Sequence, residues 1–275
     1  FEGSTFIRNK AKKVNSEDGD GGGIYATGKL TNIFSQSIDF TECACEGNGG
    51  GIAIYEGPNF VLEKANFEKN TALSGNGGGI FVSSTLGAKD SSKTEIKSKL
   101  TVLGSVFGEQ FNELQQQSQQ TNNNTNISIL NGQGNVEESA NTPYIGALKG
   151  GAIYIERSLA TFTQSTFRRI ASEEEGGAIY MGGEGGSATM DVITISNCFA
   201  EKSAGGAAYI TNSFTAKIVH SNIAECKAIE GGAFSLSSGA TVNVRNTNFT
   251  KNRAIDAGAA VTENDNGKGG AFIVK

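Results

Sequence analysis

The chain has 275 residues, with 38 Gly, 2 Pro, no Trp and a formal net charge of −5. Glycine at this level, without proline and without a strict three-residue period, excludes both a collagen-like triple helix and a disordered linker. The slight acidity, with signs interspersed, offers no basic platform for nucleic acid or an anionic membrane. No run approaches the roughly 18 apolar residues that a spanning helix needs.

In chain order, the recurring element is a glycine pair that opens a short apolar run. The pairs are Gly21-Gly22, Gly49-Gly50, Gly77-Gly78, Gly150-Gly151, Gly176-Gly177, Gly205-Gly206, Gly231-Gly232 and Gly269-Gly270. Successive pairs start 28, 28, 73, 26, 29, 26 and 38 residues apart. Self-similarity at a period of this size is the mark of a solenoid. The apolar run after each pair, as in Ile153-Tyr154, reads as a strand. Glycine is expected where the backbone needs a positive φ or an approach too close for a Cβ.

A second signal is an aromatic column: Phe6, Phe40, Phe67, Phe107, Phe167, Phe199, Ile223 and Phe249. Seven residues before it stand Ile33, Phe60, Leu100, Ala160, Val192, Ala216 and Val242. Five before it stand Ser35, Leu62, Val102, Phe162, Thr194, Ile218 and Val244. Apolar residues two apart with polar ones between have the period of a half-buried strand. Each unit of about 27 residues therefore holds two clear strands and a third short one. It cannot bury its apolar face alone, so the units must stack.

The fold class expected is all-β: a single-stranded, right-handed, pectin-lyase-like parallel β-helix of about eight to nine coils, on the order of 40 Å long. Residues 1–275 form one solenoid. The spacing from the column to the next glycine pair varies, reaching 43 residues after Phe107, so loops gather on one edge. Residues 109–148, with a Gln/Asn tract at 115–126, read as a loop insertion too polar to pack a core. Within it, Asn126 to Leu130 could supply one strand of a degenerate coil. Ala88 to Lys99 reads as a smaller charged loop. Phe1 and the final Gly269–Val274 run both fall inside a repeat, so the chain reads as an excerpt whose coils continue or stack end to end on copies of themselves.

Candidate chemistry is sparse. Cys43 and Cys45 share one face of a strand, and Cys198 and Cys226 fall in different columns, so four unpaired thiols are expected. Asp39 and Asp191 lie in distant coils, short of the paired carboxylates of a glycosidase. Glu173-Glu174-Glu175 is a solvated turn, and Asp18, Asp20, Asp256 and Asp265 lie in loops without the spacing of calcium-binding rolls. His220 is a surface residue, and Arg168-Arg169 lack aromatic interleaving. No catalytic, metal or cofactor residues are assigned. Three sequons begin at Asn123, Asn126 and Asn248, the first two in the exposed loop.

The residues Gly150–Tyr154 and Gly176–Tyr180 (GGAIY), Gly231 and Gly269 (GGAF), and the GGG boxes at Gly21, Gly49 and Gly77, with FxxN at Phe6–Asn9, Phe67–Asn70 and Phe249–Asn252, resemble the polymorphic membrane protein repeat of chlamydial surface proteins. The Asn of FxxN is replaced by Cys43, Gln110, Ile170, Lys202 and Cys226, so an inward amide ladder would exist only in pieces. The resemblance implies a non-catalytic structural or adhesive protein at the cell surface, extracellular, meeting protein or glycan partners on its faces and loops. The Gln/Asn tract leans toward a unicellular eukaryote. The alternatives are a carbohydrate-binding or polysaccharide-cleaving β-helix, and a scaffold subunit of an intracellular assembly.

Overall fold

Every strand pair among the described residues runs parallel, and within each sheet a strand bonds to its counterparts in neighbouring units. The computed structural model describes residues 1–13, 19–28, 31–85, 97–108, 144–255 and 268–275. Among them there is no helix. The chain is a parallel β-helix solenoid.

One turn shows the construction. Ile153–Glu156 follows the glycine pair, then Leu159–Thr163, Thr166–Arg168 and Ile170–Ser172. The turn has four short strands rather than two or three, because corners break the expected runs. Stacking gives a glycine-led sheet of eight strands, a sheet of seven five-residue strands, an eight-stranded sheet carrying the aromatic column, and short-strand sheets of three and five. Tyr144–Ala147 is one of the short strands, so the ladder resumes inside the stretch expected as loop to residue 148. Asn126 to Leu130 and residues 88–96 lie outside the described residues, while Lys99 opens a strand.

The aromatic column is one pile. Phe6, Phe40, Phe67, Phe107 and Phe167 stack with ring centroids 4.8, 4.8, 4.7 and 4.8 Å apart and nearly parallel planes. The inter-strand spacing sets that repeat, and the offset of neighbouring rings satisfies their quadrupoles. The pile continues through Ile195 and Ile223 to Phe249.

Phe199 is not in it. Ile195 pairs with Phe167, whereas Phe199 pairs with Ala171 and Lys227 in the short-strand sheet and is only half-buried. The two earlier columns shift with it: Ala188 and Met190 fill that coil, not Val192 and Thr194. Two apolar residues four apart, Ile195 and Phe199, both fit the pattern. Backbone register selects Ile195 because its strand keeps the same length as those above and below.

Both glycines of every pair from Gly21-Gly22 to Gly231-Gly232 are required, for different reasons. The first has a positive φ throughout, from 59° at Gly150 to 72° at Gly205. The second faces its own counterpart: a Cβ on Gly177 would lie 2.2 Å from the Gly206 carbonyl oxygen and 2.6 Å from the Phe199 backbone. The wall of the next coil and the neighbouring short strand meet there. The short strands therefore turn small residues inward, Cys45, Ala72 and Ala147 forming their own buried cluster.

Two further corners use left-handed residues that are mostly polar. Ser37, Lys64, Gln164, Val192, His220 and Asn246 turn the chain into the aromatic-column strand, with φ between 48° and 55°. Arg8, Glu42, Lys69, Arg169, Asn197, Glu225 and Lys251 turn it out, with φ between 51° and 58°. Beside the first corner, buried serines close the hydrogen bonding. The Ser165 hydroxyl accepts from the Ser105 amide (3.4 Å) and donates to the Thr163 carbonyl (2.9 Å), and Ser221 does the same for Ile193 (3.1 Å) and Val219 (2.6 Å).

Val192 is the exception at its corner: a β-branched residue held at φ 55° and 49% exposed, a conformation that such side chains resist. Val192→Gly is expected to raise stability by about 1 kcal/mol. Gly177→Ala is expected to lower it by about 3 kcal/mol, since no side chain can yield to the new methyl. Urea denaturation midpoints of the two variants check both signs.

Candidate functional site

The regular coil presents rows of side chains, and these rows are where chemistry can reside. Along the outside of the glycine-led sheet runs a ladder of six rings: Tyr25, Tyr55, Phe81, Tyr154, Tyr180 and Tyr209. Neighbouring centroids are 5.6, 5.2, 5.1, 4.5 and 5.7 Å apart. The row position itself holds Ala53 between Tyr25 and Phe81, and Tyr55, two residues further on, swings over the gap. Sequence reasoning read the Ile-Tyr segments as strands and missed the ladder. Its signal was an aromatic recurring four residues after the first glycine of a pair, at Tyr25, Phe81, Tyr154, Tyr180 and Tyr209.

Polar groups lock the flank of this ladder. Tyr55 donates its hydroxyl hydrogen to Asp20, while the Asn48 side-chain amide donates to the Tyr55 hydroxyl (3.3 Å) and the Asn48 backbone to Asp20 (2.6 Å). Burial pushes the Tyr55 hydroxyl pKa up, and the bond to Asp20 adds to it. Burial likewise raises Tyr154 and Tyr180. Lys149 sits 5.6 Å from the Tyr180 ring centroid and pairs with Glu175 (3.0 Å) and Glu174 (3.7 Å). Glu173 meets Lys202 (2.9 Å), so the Glu173–Glu175 turn is solvated but paired across coils.

Inside, the FxxN position forms a mixed column. Asn70 donates to the Phe40 carbonyl (2.8 Å) and accepts from the Cys43 amide (2.9 Å). Asn252 does the same to Ile223 (2.9 Å) and Cys226 (3.0 Å). Where cysteine stands instead, the thiol reaches toward the same target: Cys43 donates to the Phe6 carbonyl at 3.4 Å. In the coil containing Ile195 the position is Cys198 rather than Lys202. Cys198 and Cys226 therefore share one column, contrary to the expectation that they fall in different ones, which followed from aligning on Phe199. All four cysteines are free and buried.

His220 is exposed at its corner with Nδ1 3.0 Å from Asp191 Oδ1. With Thr194, Asn222, Asn246 and Asn248 it lines an open trough. Asn248 is exposed on the outer side of its strand, whereas Asn123 and Asn126 lie outside the described residues. Asp39 is far from the trough, on the strand Asp39–Thr41. Asp18, Asp256 and Asp265 fall outside the described residues. Among those described, no group of three or more His, Cys, Asp and Glu side chains converges as a metal site.

A stacked solenoid with uniform outward rows defines a repeat protein of the parallel β-helix class. Two stretches of it match a recognised repeat: the model of the Chlamydia polymorphic membrane protein repeat matches residues 3–27 and 64–83. Each stretch joins an intact FxxN box, Phe6–Asn9 or Phe67–Asn70, to the glycine box that follows. Searches of curated proteins and of solved structures found no match.

The buried thiols make a measurable statement about pH. Burial pushes the Cys45 thiol up to about 12 from an ordinary 9.0, with the Asp20 charge adding to it. The unfolded chain releases this proton first. Stability from this group is complete below about pH 9 and declines as pH rises toward 12, by about 1.4 kcal/mol per pH unit. Denaturation midpoints at successive pH values should show that decline, shallower in Cys45→Ala, whose side chain matches Ala11 and Ala72 on either side of it.

Proposed function

We propose that this chain is a rigid, non-catalytic segment of a surface protein, whose outward rows and edge loops meet protein or glycan partners in adhesion or in a coat. The reading rests chiefly on the two stretches that match a repeat named for a membrane protein. The aromatic ladder supports it. Six rings in contact along one face, with Tyr25 exposed, Tyr55, Tyr154 and Tyr209 half-buried and Phe81 and Tyr180 buried between them, give a pre-ordered ridge that costs little conformational entropy to present. Such a face suits recognition of an extended partner lying along the rod.

The polysaccharide-processing alternative has one observation in its favour, the Asp191–His220 contact at 3.0 Å beside an open trough. Both groups are substantially exposed, at 41% and 58% of their side-chain surface, without the enclosure that tunes acid–base pairs. Chain-coated beads are expected to adhere saturably to cells or purified surface polymers, equally well with Asp191→Ala. Absence of any adhesion, or release of oligosaccharide products that Asp191→Ala abolishes, would overturn the proposal.

Secretion of such a protein through a eukaryotic pathway would expose its sequons to glycosylation, with Asn123, Asn126 and Asn248 as the acceptors. Intact mass before and after glycosidase treatment is expected to fall. Asn248→Gln should remove one glycan's share of that change, and an unchanged mass removes the idea.

A further inference from the structure

Three of the four cysteines occupy the FxxN column, and only two of those are neighbours. Ser196 pairs with Ala224 and Phe199 with Lys227, so the residues between them, Cys198 and Cys226, lie in register one coil apart. The Lys227 amide donates to the Cys198 carbonyl at 2.9 Å, which ties the two backbones together at that level. An inter-strand spacing of about 4.8 Å falls within the roughly 4.4–6.8 Å Cα separation that a disulfide spans. Both side chains are buried, at 1% and 0% exposure. Cys198 now donates to the Ser196 carbonyl (3.4 Å) and reaches the Phe167 carbonyl of the preceding coil (3.9 Å), and Cys226 donates to the Ala224 carbonyl (3.3 Å). The other two cysteines lack such a partner in the register. Cys43 lies below Asn70, which accepts its amide hydrogen, and Cys45 lies between Ala11 and Ala72.

We propose that Cys198 and Cys226 are the site of an oxidative modification, a disulfide that staples two successive coils through the interior. The oxidant is a small-molecule disulfide of the glutathione class. One protein thiolate attacks it, forming a mixed disulfide and releasing one small thiol. The second protein thiolate then displaces the other small thiol and closes the protein bond. The two cysteines lose two electrons and two protons in total, and the small disulfide, gaining both, becomes two thiols.

Burial and the neighbouring Cys198 thiol hold Cys226 protonated in the folded coil, so the closed solenoid is slow to react. The bond forms while the coils zip together, when the thiols still meet solvent. The cross-link closes the 28-residue turn between the two positions and acts mainly by restricting the unfolded chain. It forms in an oxidising compartment and not in a reducing one, which accords with the surface reading without depending on it.

The test is refolding of the full chain from denaturant in a buffer of reduced and oxidised glutathione, then alkylation in denaturant and peptide mapping without reduction. The expected result is a Cys198–Cys226 linked peptide, with Cys43 and Cys45 alkylated. A higher unfolding midpoint than that of the reduced chain should accompany it. Cys198→Ala and Cys226→Ala should each abolish the midpoint difference and leave the remaining thiol alkylated. Alkylation of all four thiols, or linkage through Cys43 or Cys45, overturns the proposal whatever the variants do. Adhesion by the reduced chain is measured separately, so failure here leaves the surface reading standing.

Discussion

The structure depends on one close approach. At the second glycine of every pair from Gly22 to Gly232, the backbone of one coil meets the carbonyl of the next and the neighbouring short strand, with no room for a Cβ. That contact brings the coil walls together. Only small residues fit inside the short strands beside it, while the stacked Phe rings pack against the residue that follows the pair: a Cβ on Gly23 would lie 2.8 Å from the Phe40 ring and one on Gly51 3.1 Å from the Phe67 ring. The aromatic pile and the glycine boxes are therefore packed against each other in one close-packed cross-section.

The corners complete the shape. Left-handed φ values recur at equivalent positions in successive coils, where the side chains point to water and local strain is tolerated for Asn, Ser and charged residues. The same positions carry much of the inter-coil electrostatics, as with Arg8 and Glu42 at 2.5 Å and Lys251 and Glu225 at 3.4 Å. The Arg8 hydrogen bond holds the Glu42 carboxyl below the usual carboxylate range, but both groups are exposed and such pairs add little stability. Their effect is on register, since a one-residue slip would leave Arg8 facing Thr41 or Cys43 in place of Glu42.

Function follows from the outside of this lattice. Identical positions in successive coils fall about 4.8 Å apart, so a residue type repeated in the sequence becomes a row on the surface. The ring ladder from Tyr25 to Tyr209 is such a row, exposed at Tyr25 and buried at Phe81 and Tyr180, and Tyr55 repairs its one gap from two residues away. The FxxN column is the interior equivalent. Its amides satisfy backbone groups of the coil below, and a thiol can substitute for part of that role, as the Cys43 contact with Phe6 shows.

Much of this was legible in the chain itself, because a repeat writes its own alignment. The glycine pairs, the stacked Phe6 to Phe167 pile and the solenoid class all follow from spacing and the need of each unit to bury one face on its neighbours. Register in the coil around Ile195 was not legible, nor was the shared column of Cys198 and Cys226. Ile195 and Phe199 are equally apolar, and only hydrogen bonding to the strands above and below distinguishes them. Spacing along one chain is a one-dimensional quantity and fixes which residues recur. Which of two adjacent candidates turns inward is decided by backbone pairing between coils, and that exists only once the coils have stacked.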